Sequence, residues 1–452
     1  MRQTTADALA LLVRWSQVEW RAASVMASVV RDGIRVFDQG VGAAVVSESG
    51  AVGPAPDADT HFRIGSITKT FTAVLVLALR DEGRLRLDDS LGKHLPGTRH
   101  GDVTLRQMLT HLSGLQREPV GDVWYTLDVP DRSELLIGLE MAEAVLPPHR
   151  QLHYSNLAYA LLGEVVARLD GSSWEDSLRT RILEPLGMSR TGVEPQAPRA
   201  NGYYSDPFAD RVHAEPDLPV RALGPAAQLW STTADLSKWA SFIADPVTDV
   251  LSADTVEEMC HPHVMYDVDA WNLAWGVGFM LLRSGDRVLV GHEGAMPGFL
   301  AGVFVRRQDS VGAVAFANTT SGASPGELAA TLVTTVLDTE PSPPPPWTVA
   351  APVDPAAEPL LGIWWSEGSE FEFTWTAGRL RARLRAPSAA ARPPAIFVAE
   401  GHDLWRTESG REAGELLRVV RDDAGSVVRM HWATYAFTRD PNAFGSNSPG
   451  PS

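Results

Sequence analysis

The segment Phe62-Arg63-Ile64-Gly65-Ser66-Ile67-Thr68-Lys69 leads into an apolar-rich helix, predicted over about 66–82 and ended by Gly83. Ser66 and Lys69 are three residues apart, so on a helix their side chains lie on one face. A hydroxyl in the first turn of a helix also lies in the positive field of the helix N-terminus. A lysine amine that has lost its charge there can take the serine proton, although its ordinary pKa is about 10.4. The segment therefore presents a candidate nucleophile with a candidate base.

The spacing alone is not specific, because it occurs again in Ser90-Leu91-Gly92-Lys93. Ser90 follows two aspartates, and Gly92 precedes a proline-containing loop, so no buried pair is expected there. An isolated pair of this kind is ordinarily a capping serine with a hydrated lysine. Further motifs must therefore decide between the two segments.

Two such motifs follow along the chain. Tyr154-Ser155-Asn156 is the only Tyr-x-Asn in the sequence, and it opens a helix-like run over 157–169. Gly291-His292-Glu293-Gly294-Ala295 follows an apolar strand, where glycine lets a substrate approach the backbone and strand N–H groups can form an oxyanion hole. Each motif alone is more often structural, since a tyrosine is commonly half-buried and a lone His-x-Gly is nearly uninformative.

In this chain order the three motifs resemble the serine β-lactamase and penicillin-binding-protein-like family, in particular its class C, esterase and D-aminopeptidase branch. The resemblance covers residues of about 24–337 and includes the sequence at 62–69, 109–115 and 229–236. It implies an acyl-enzyme mechanism in a β-lactamase-like fold.

The resemblance also implies roles for individual residues. Ser66 is expected to be the nucleophile, Lys69 its general base, and Tyr154 the group that exchanges a proton with the leaving group. Asn156 is expected to hold Lys69 and the substrate amide, and His292 to stand beside Tyr154 at the carboxylate side of the substrate. The backbone N–H groups of Ser66 and Ala295 are expected to bind the oxyanion.

The third motif departs from the drug-hydrolysing members, which mostly carry Lys-Thr-Gly or Lys-Ser-Gly. His292 is only fractionally charged at neutral pH. Glu293 adds a negative charge beside it, although strand alternation can direct that side chain to the opposite face. Anchoring of a β-lactam carboxylate should therefore be weaker. The His-x-Gly form is similar to esterases, D-aminopeptidases and penicillin-binding-protein-type thioesterases.

The composition excludes several classes of protein. The chain has 452 residues, 44% hydrophobic and 21% charged, which is typical of a globular protein rather than a disordered one. Its formal charge of −17 and the absence of a basic patch argue against nucleic-acid binding. A single cysteine, Cys260, excludes an internal disulfide and a multi-cysteine metal cluster. No metal or other cofactor is expected.

The sequence predicts neither a membrane span nor an export signal. The longest apolar stretch, 73–79, is far shorter than the ~18 residues of a membrane span. Asp7 and Arg14 bracket only a short apolar segment, so no export signal is predicted. We therefore expect a cytoplasmic protein that does not bind a membrane, and the sequence leaves the oligomeric state open.

The predicted fold class is α+β. Residues 1–340 are predicted to form the β-lactamase-like serine hydrolase domain, with an antiparallel sheet from both chain ends and a helical subdomain between them. A Pro-rich linker follows at 341–354, then a small antiparallel β-barrel, lipocalin-like, at 355–440. The segment 441–452 is predicted to be a disordered tail.

Within this family, a proline linker followed by a small β-barrel is similar to D-aminopeptidases and to stand-alone thioesterases that release nonribosomal peptides. The leading hypothesis is such a thioesterase, which macrocyclises a peptidyl acyl group delivered by a peptidyl carrier protein. The alternatives are an esterase or D-stereospecific peptidase of the same family and, from another class, a non-catalytic peptide-binding relative.

Overall fold

The computed structural model describes residues 1–47, 50–343, 346–349, 352–387 and 393–441. The chain divides into two compact units, Met1–Pro343 and Pro344–Ser452. The predicted tail at 441–452 lies, except for residue 441, outside the described residues, as does part of the predicted linker.

The first unit contains twelve α-helices and twelve strands within its described residues. The helices are α1 Gln3–Trp20, α2 Thr68–Asp81, α3 Leu91–His94, α4 Leu105–Leu109, α5 Val123–Thr126, α6 Arg132–Gly138, α7 Asn156–Asp170, α8 Trp174–Leu178, α9 Gly224–Ala227, α10 Thr233–Ala244, α11 Ala253–Met259 and α12 Pro325–Thr339. The strands are β1 Ser24–Arg31, β2 Ile34–Gly42, β3 Phe62–Arg63, β4 Tyr203–Ser205, β5 Val212–Ala214, β6 Trp230–Ser231, β7 Val264–Met265, β8 Leu273–Trp275, β9 Met280–Ser284, β10 Arg287–Met296, β11 Phe299–Arg306 and β12 Val311–Ala317.

The main sheet is built from both ends of this unit, as predicted. Its order is β2-β1-β12-β11-β10-β9-β8-β7, and every neighbouring pair is antiparallel. The hairpin between β1 and β2 turns at Asp32 and Gly33, whose φ angles of 51° and 74° suit the tight turn that an Asp-Gly pair favours. Strand β1 then pairs with β12, with Val25 opposite Ala317. The predicted α+β class is therefore confirmed.

Helices cover both faces of this sheet. The helices α1 and α12 pack on one face, where Leu9, Val13, Leu332 and Val333 are buried. On the other face α10 packs against β1 and β12, and the core continues into α2 and α7. Helix α2 lies in the middle of this core, and eleven of its fourteen residues are buried, including the polar Thr68, Lys69, Thr70 and Thr72.

The second unit is the small antiparallel barrel that the sequence predicts. Its described residues form eight strands, paired in chain order: β13 Gly362–Ser366, β14 Ser369–Thr376, β15 Arg379–Leu384, β16 Ala395–Gly401, β17 Leu404–Ser409, β18 Leu416–Arg421, β19 Val427–Trp432 and β20 Tyr435–Phe437. Trp365 and Thr438 exchange two backbone hydrogen bonds, of 2.7 and 3.0 Å, which nearly close the barrel between its first and last strands. Aromatic side chains fill its interior, among them Trp364, Phe373 and Phe397.

Candidate active site

Ser66 and Lys69 lie at the N-terminal end of α2, in the middle of the first unit. The helix begins two residues later than predicted, because Gly65–Ile67 forms a 3-10 turn before Thr68. Lys69 Nζ lies 3.0 Å from Ser66 Oγ and donates a hydrogen bond of 2.9 Å to the carbonyl of Ala226. The Lys69 side chain is completely buried.

Burial lowers the pKa of Lys69 well below its ordinary value, since a buried ammonium loses its hydration. The carboxylate of Glu118 opposes this shift, and the guanidinium of Arg117 adds to it. A lowered pKa increases the fraction of neutral amine near neutral pH. With the Ala226 carbonyl accepting one N–H, the lone pair of that amine is available to the Ser66 hydroxyl.

Two glycines bring the turn at Ser66 against strand β10. Gly65 has a φ of +49°, and a Cβ built on it would lie 2.6 Å from the backbone nitrogen of Ala295. A Cβ on Gly294 would lie 1.9 Å from the carbonyl oxygen of Ile64 and 3.1 Å from the nitrogen of Ser66. Any larger residue would separate the two segments. The backbone nitrogens of Ser66 and Ala295 therefore lie side by side, as an oxyanion hole requires.

Tyr154 reaches the same place from the start of α7. Its hydroxyl is within hydrogen-bond reach of Ser66, and its ring centroid is 4.8 Å from Lys69 Nζ. Burial raises the pKa of Tyr154 far above its ordinary value, so its hydroxyl stays protonated. Ser155 fixes the helix start, because its Oγ accepts the N–H of Ala158 at 3.0 Å and donates to the carbonyl of Gln116 at 2.8 Å.

His111 also belongs to this group, although the sequence analysis assigned it no role. Its ring stacks on Tyr154 with centroids 4.2 Å apart, and its Nδ1 accepts the backbone N–H of Ser155 at 3.1 Å. Burial, followed by the nearby Lys69, holds the pKa of His111 well below its ordinary value. His111 lies in the segment 109–115, whose sequence resembles the family, so a role for it could have been suspected. Its contact with Tyr154 is visible only in the fold.

Asn156 lies in the cluster with partners other than those expected. Its Nδ2 donates to Glu118 Oε1 at 2.7 Å, and its Oδ1 has no hydrogen-bond partner among the described residues. The hydrogen bonds found for Lys69 go to Ser66 and to the Ala226 carbonyl, not to Asn156. No motif in the sequence predicts that Glu118 contacts Asn156 or that Ala226 contacts Lys69.

His292 lies beside Tyr154, with ring centroids 6.3 Å apart, and it is buried. Burial, followed by the nearby Lys69, lowers the pKa of His292 to about 3. Its Nδ1 is 2.5 Å from the carbonyl oxygen of Glu293, so Nδ1 carries the proton and Nε2 is left as an acceptor. Nε2 has no partner within the described chain. His292 is therefore neutral at physiological pH and offers no fixed positive charge.

A cleft of about 440 Å³ opens onto Ser66. It is bounded by Ser66, Arg117, Leu152, Tyr154, Tyr266, Leu273, Trp275, Met280, His292, Glu293, Gly294, Ala295, Leu300, Ala301, Ala323, Ser324, Pro325 and Gly326. His292 and Glu293 both border the cleft, although they are neighbours on a strand.

A metal site and a membrane-spanning helix are two further possibilities for the described ranges. No group of three or more His, Cys, Asp or Glu side chains there is arranged to hold a metal ion. No helix within those ranges is both long enough and apolar enough to span a bilayer.

Fold and site together define a serine hydrolase class whose nucleophile opens a helix beside an antiparallel sheet. The sequence profile of the Beta-lactamase family matches residues 12–338, and the chain belongs to that family. A second profile, a domain of unknown function (DUF7586), matches residues 353–439 in the barrel. Members of the family are serine hydrolases that act through an acyl-enzyme.

Two curated relatives illustrate the match. "Penicillin-binding protein 4" of Amycolatopsis lactamdurans is 33% identical over 269 residues, which are 54% of this chain and 69% of the relative. The "D-alanyl-D-alanine-carboxypeptidase/endopeptidase AmpH" of Escherichia coli (strain K12) is 27% identical over 283 residues, or 57% and 71% of the two chains.

Solved structures extend the likeness to nearly the whole chain. The crystal structure of SurE with D-Leu matches with a TM-score of 0.60 and 25% identity, covering 97% of this chain and 100% of that one. The octameric penicillin-binding protein homologue from Pyrococcus abyssi matches with a TM-score of 0.65 and 22% identity, covering 96% and 99%. The latter likeness shows the fold alone.

Proposed function

We propose that this protein is a stand-alone thioesterase, in which Ser66 accepts a peptidyl group from a carrier-bound thioester and the peptide's own amine releases it as a macrocycle. The observation that carries the acyl-enzyme step is the fully buried Lys69 amine, 3.0 Å from Ser66 Oγ. The match to SurE, which covers both units of the chain and was solved with D-Leu, supports a peptidyl substrate with a D-residue.

In the acylation step, the amine of Lys69 takes the proton of Ser66 as its Oγ attacks the thioester carbonyl. The N–H groups of Ser66 and Ala295 receive the developing oxyanion, an effect worth about 3–4 kcal/mol per donor. The protonated Tyr154 hydroxyl gives a proton to the departing sulfur, and the Lys69 ammonium restores it. The peptidyl ester on Ser66 is then open to an amine or to water.

His292 and Glu293 favour this reaction over β-lactam hydrolysis. A carboxylate-bearing drug needs a cation or strong donors beside the nucleophile, and His292 is neutral. Its Nε2 accepts rather than donates, and Glu293 adds a negative charge to the cleft wall. We therefore expect penicillins to react slowly at most.

The second candidate is a D-stereospecific peptidase or esterase, which the similarity to the D-alanyl-D-alanine carboxypeptidase/endopeptidase favours. The same Ser66, Lys69 and Tyr154 would serve, because water and amine are alternative nucleophiles for one acyl-enzyme. Whether water or the amine attacks depends on how well the site excludes water and on whether it folds the bound peptide back towards its own ester.

The deciding experiment uses a linear peptide thioester that ends in a D-residue, with its L-terminal epimer as the matched substrate. Intact-mass analysis is expected to show a peptidyl adduct on the wild type and none on Ser66→Ala. The product from the D-epimer is expected to be lighter than the free acid by one water. Free acid alone would favour the hydrolase, and binding without an adduct would identify a non-catalytic relative.

A further inference from the structure

The wall of the cleft between β10 and the start of α12 carries a carboxylate that the chemistry above does not use. Among the described residues that border the cleft, Arg117 and Glu293 carry the fixed charges. Arg117 Nε lies 3.5 Å from Glu118 Oε1, which partly neutralises it. Among the described residues, Glu293 forms no ion pair with a cationic side chain, and the charged group that affects it is the carboxylate of Glu327. The cleft is thus left with an uncompensated negative charge at Glu293.

The fold makes room for this carboxylate. A Cβ built on Gly326 would lie 2.2 Å from Glu293 Oε1 and 2.8 Å from its Cδ, so only glycine permits the observed position. Pro325 and Gly326 open the fifteen-residue helix α12, whose positive end favours an anion. Glu293 is only partly covered by the protein, but this desolvation and the charge of Glu327 raise the pKa of its carboxyl group. A cation bound beside the carboxylate would relieve both penalties.

Glu293 is also correctly placed to act on the acyl group. Glu293 and Ala295 are exposed at the cleft on either side of the buried Gly294, so they share one face of β10. Residues two apart on a strand are about 7 Å apart. Because the nitrogen of Ala295 lies next to that of Ser66, a ligand held by the Glu293 side chain is within reach of an acyl carbon on Ser66 Oγ.

The ligand that complements such a position is a cation with N–H donors. A carboxylate would be repelled there, and a hydroxyl would leave the charge unpaired. A protonated primary amine supplies both the charge and the donors, and it is also the nucleophile that amide formation needs.

We propose that Glu293 binds the ammonium group of the acyl acceptor and delivers it to the acyl-enzyme, while it disfavours acceptors that carry a carboxylate. This inference rests on the proposed acylation of Ser66. In the step itself, the Glu293 carboxylate takes one proton from the ammonium, and the nitrogen lone pair attacks the ester carbon. The C–N bond forms, the C–Oγ bond breaks, and Ser66 Oγ receives the second proton through Tyr154. Glu293 releases its proton to solvent afterwards.

The test compares two small acceptors, glycinamide and glycine, which differ in the carboxylate. An N-acylated D-phenylalanine thioester loads the enzyme, and intact-mass analysis follows the decay of the adduct and the amide product. In the wild type, glycinamide is expected to accelerate decay at least about tenfold more than glycine at equal concentration. Glu293→Gln is expected to lower this preference at least about fivefold.

Glu327→Gln is the matched control, because it removes the same charge from the adjacent helix turn without touching the cleft wall. It is expected to keep the preference for glycinamide. A second variant, Gly326→Ala, displaces the Glu293 carboxylate without removing its charge, and it is expected to lower the preference as Glu293→Gln does. A wild-type circular dichroism spectrum and cooperative thermal unfolding verify that each variant is folded.

The failure of the inference is distinct from the failure of the proposed function. An adduct that forms but shows no glycinamide preference, or an unchanged preference in Glu293→Gln, would overturn the role of Glu293. No adduct on the wild type would contradict the acyl-enzyme instead. A protection assay then tests the subsite without turnover, since glycinamide is expected to slow fluorophosphonate labelling in the wild type and not in Glu293→Gln. Equal protection in both proteins would also refute the proposal.

Discussion

The chain contains two Ser-x-x-Lys sequences, and the fold treats them in opposite ways. Lys69 is wholly buried, with its amine 3.0 Å from Ser66 Oγ. The Lys93 side chain is 58% exposed, and its amine lies 2.7 Å from Asp89 Oδ1 rather than beside Ser90. The same spacing therefore yields a dehydrated amine in one place and a hydrated surface ion in the other.

The difference arises from what surrounds each helix start. Ser66 precedes a fourteen-residue helix in the middle of the core, pressed against β10 through Gly65 and Gly294. Ser90 precedes a helix of only four residues at the surface, and its side chain forms no capping hydrogen bond. Desolvation, which lowers the pKa of a lysine, operates only in the first environment.

Ser66→Ala is expected to cause the greatest loss of activity, and Ser90→Ala is its matched control. Loss of Ser66 is expected to abolish covalent labelling by a fluorophosphonate and to reduce turnover of a peptide thioester at least about a thousandfold. Ser90→Ala is expected to retain both, since it removes no capping bond. Intact mass and initial rates measure the two effects, and labelling of Ser66→Ala at the wild-type level would refute the assignment.

The second largest loss of activity is expected for Lys69→Met, with Lys93→Met as its matched control. Removing the general base is expected to slow acylation by a factor on the order of 10²–10⁴. Lys93→Met removes a surface ion pair, which contributes about 0–1 kcal/mol to the free energy of unfolding. Single-turnover acylation rates and denaturant unfolding separate the two. Comparable losses of acylation in both variants would show that the buried pair has no special role.

The pH dependence of kcat/KM also distinguishes the two lysines. The base must be neutral to act, and burial lowers the pKa of Lys69, so kcat/KM is expected to rise with pH through a limb that lies well below pH 10.4. Glu118 opposes that lowering, so Glu118→Gln removes a charge that stabilises the ammonium and is expected to move the limb to lower pH. Asp89→Asn, the corresponding change beside Lys93, is expected to leave the limb in place. A limb that does not move in Glu118→Gln would contradict the assignment of the base.

The smallest expected effect concerns how Lys69 is positioned. Thr72 Oγ1 donates to the carbonyl of Pro225 at 2.7 Å, next to the Ala226 carbonyl that accepts from Lys69. Thr72→Val is expected to loosen this segment and slow acylation by about three- to tenfold, since small displacements of a reacting group are costly.

Thr70→Val is the matched control for Thr72→Val. Both threonines are buried on α2 and accept an indole N–H, from Trp174 at Thr72 and from Trp239 at Thr70. Thr70 Oγ1 donates within its own segment, to Ile67 at 2.8 Å. The two variants are expected to lose similar amounts of unfolding free energy, about 1–3 kcal/mol. Equal acylation rates in both would exclude a positioning role for Thr72.

Much of this fold was predictable from local pattern. The hairpin at Asp32-Gly33, the long helix after Ser66, the helix after Tyr154 and the period-2 strands of the barrel all follow from turn chemistry and hydrophobic periodicity. The start of α2 lies two residues later than the pattern predicts, since Gly65–Ile67 forms a 3-10 turn in tight contact with β10. No local pattern records that contact.

Local sequence specifies the chemical groups of the site: a serine and a lysine one turn apart, a tyrosine that precedes a second helix, and a glycine-rich strand. Packing of the folded chain dehydrates Lys69, gives it the Ala226 carbonyl rather than Asn156 as its partner, and brings Glu293 to the cleft. The reason is that desolvation and charge proximity depend on segments far apart in the chain, and these meet only when the core packs.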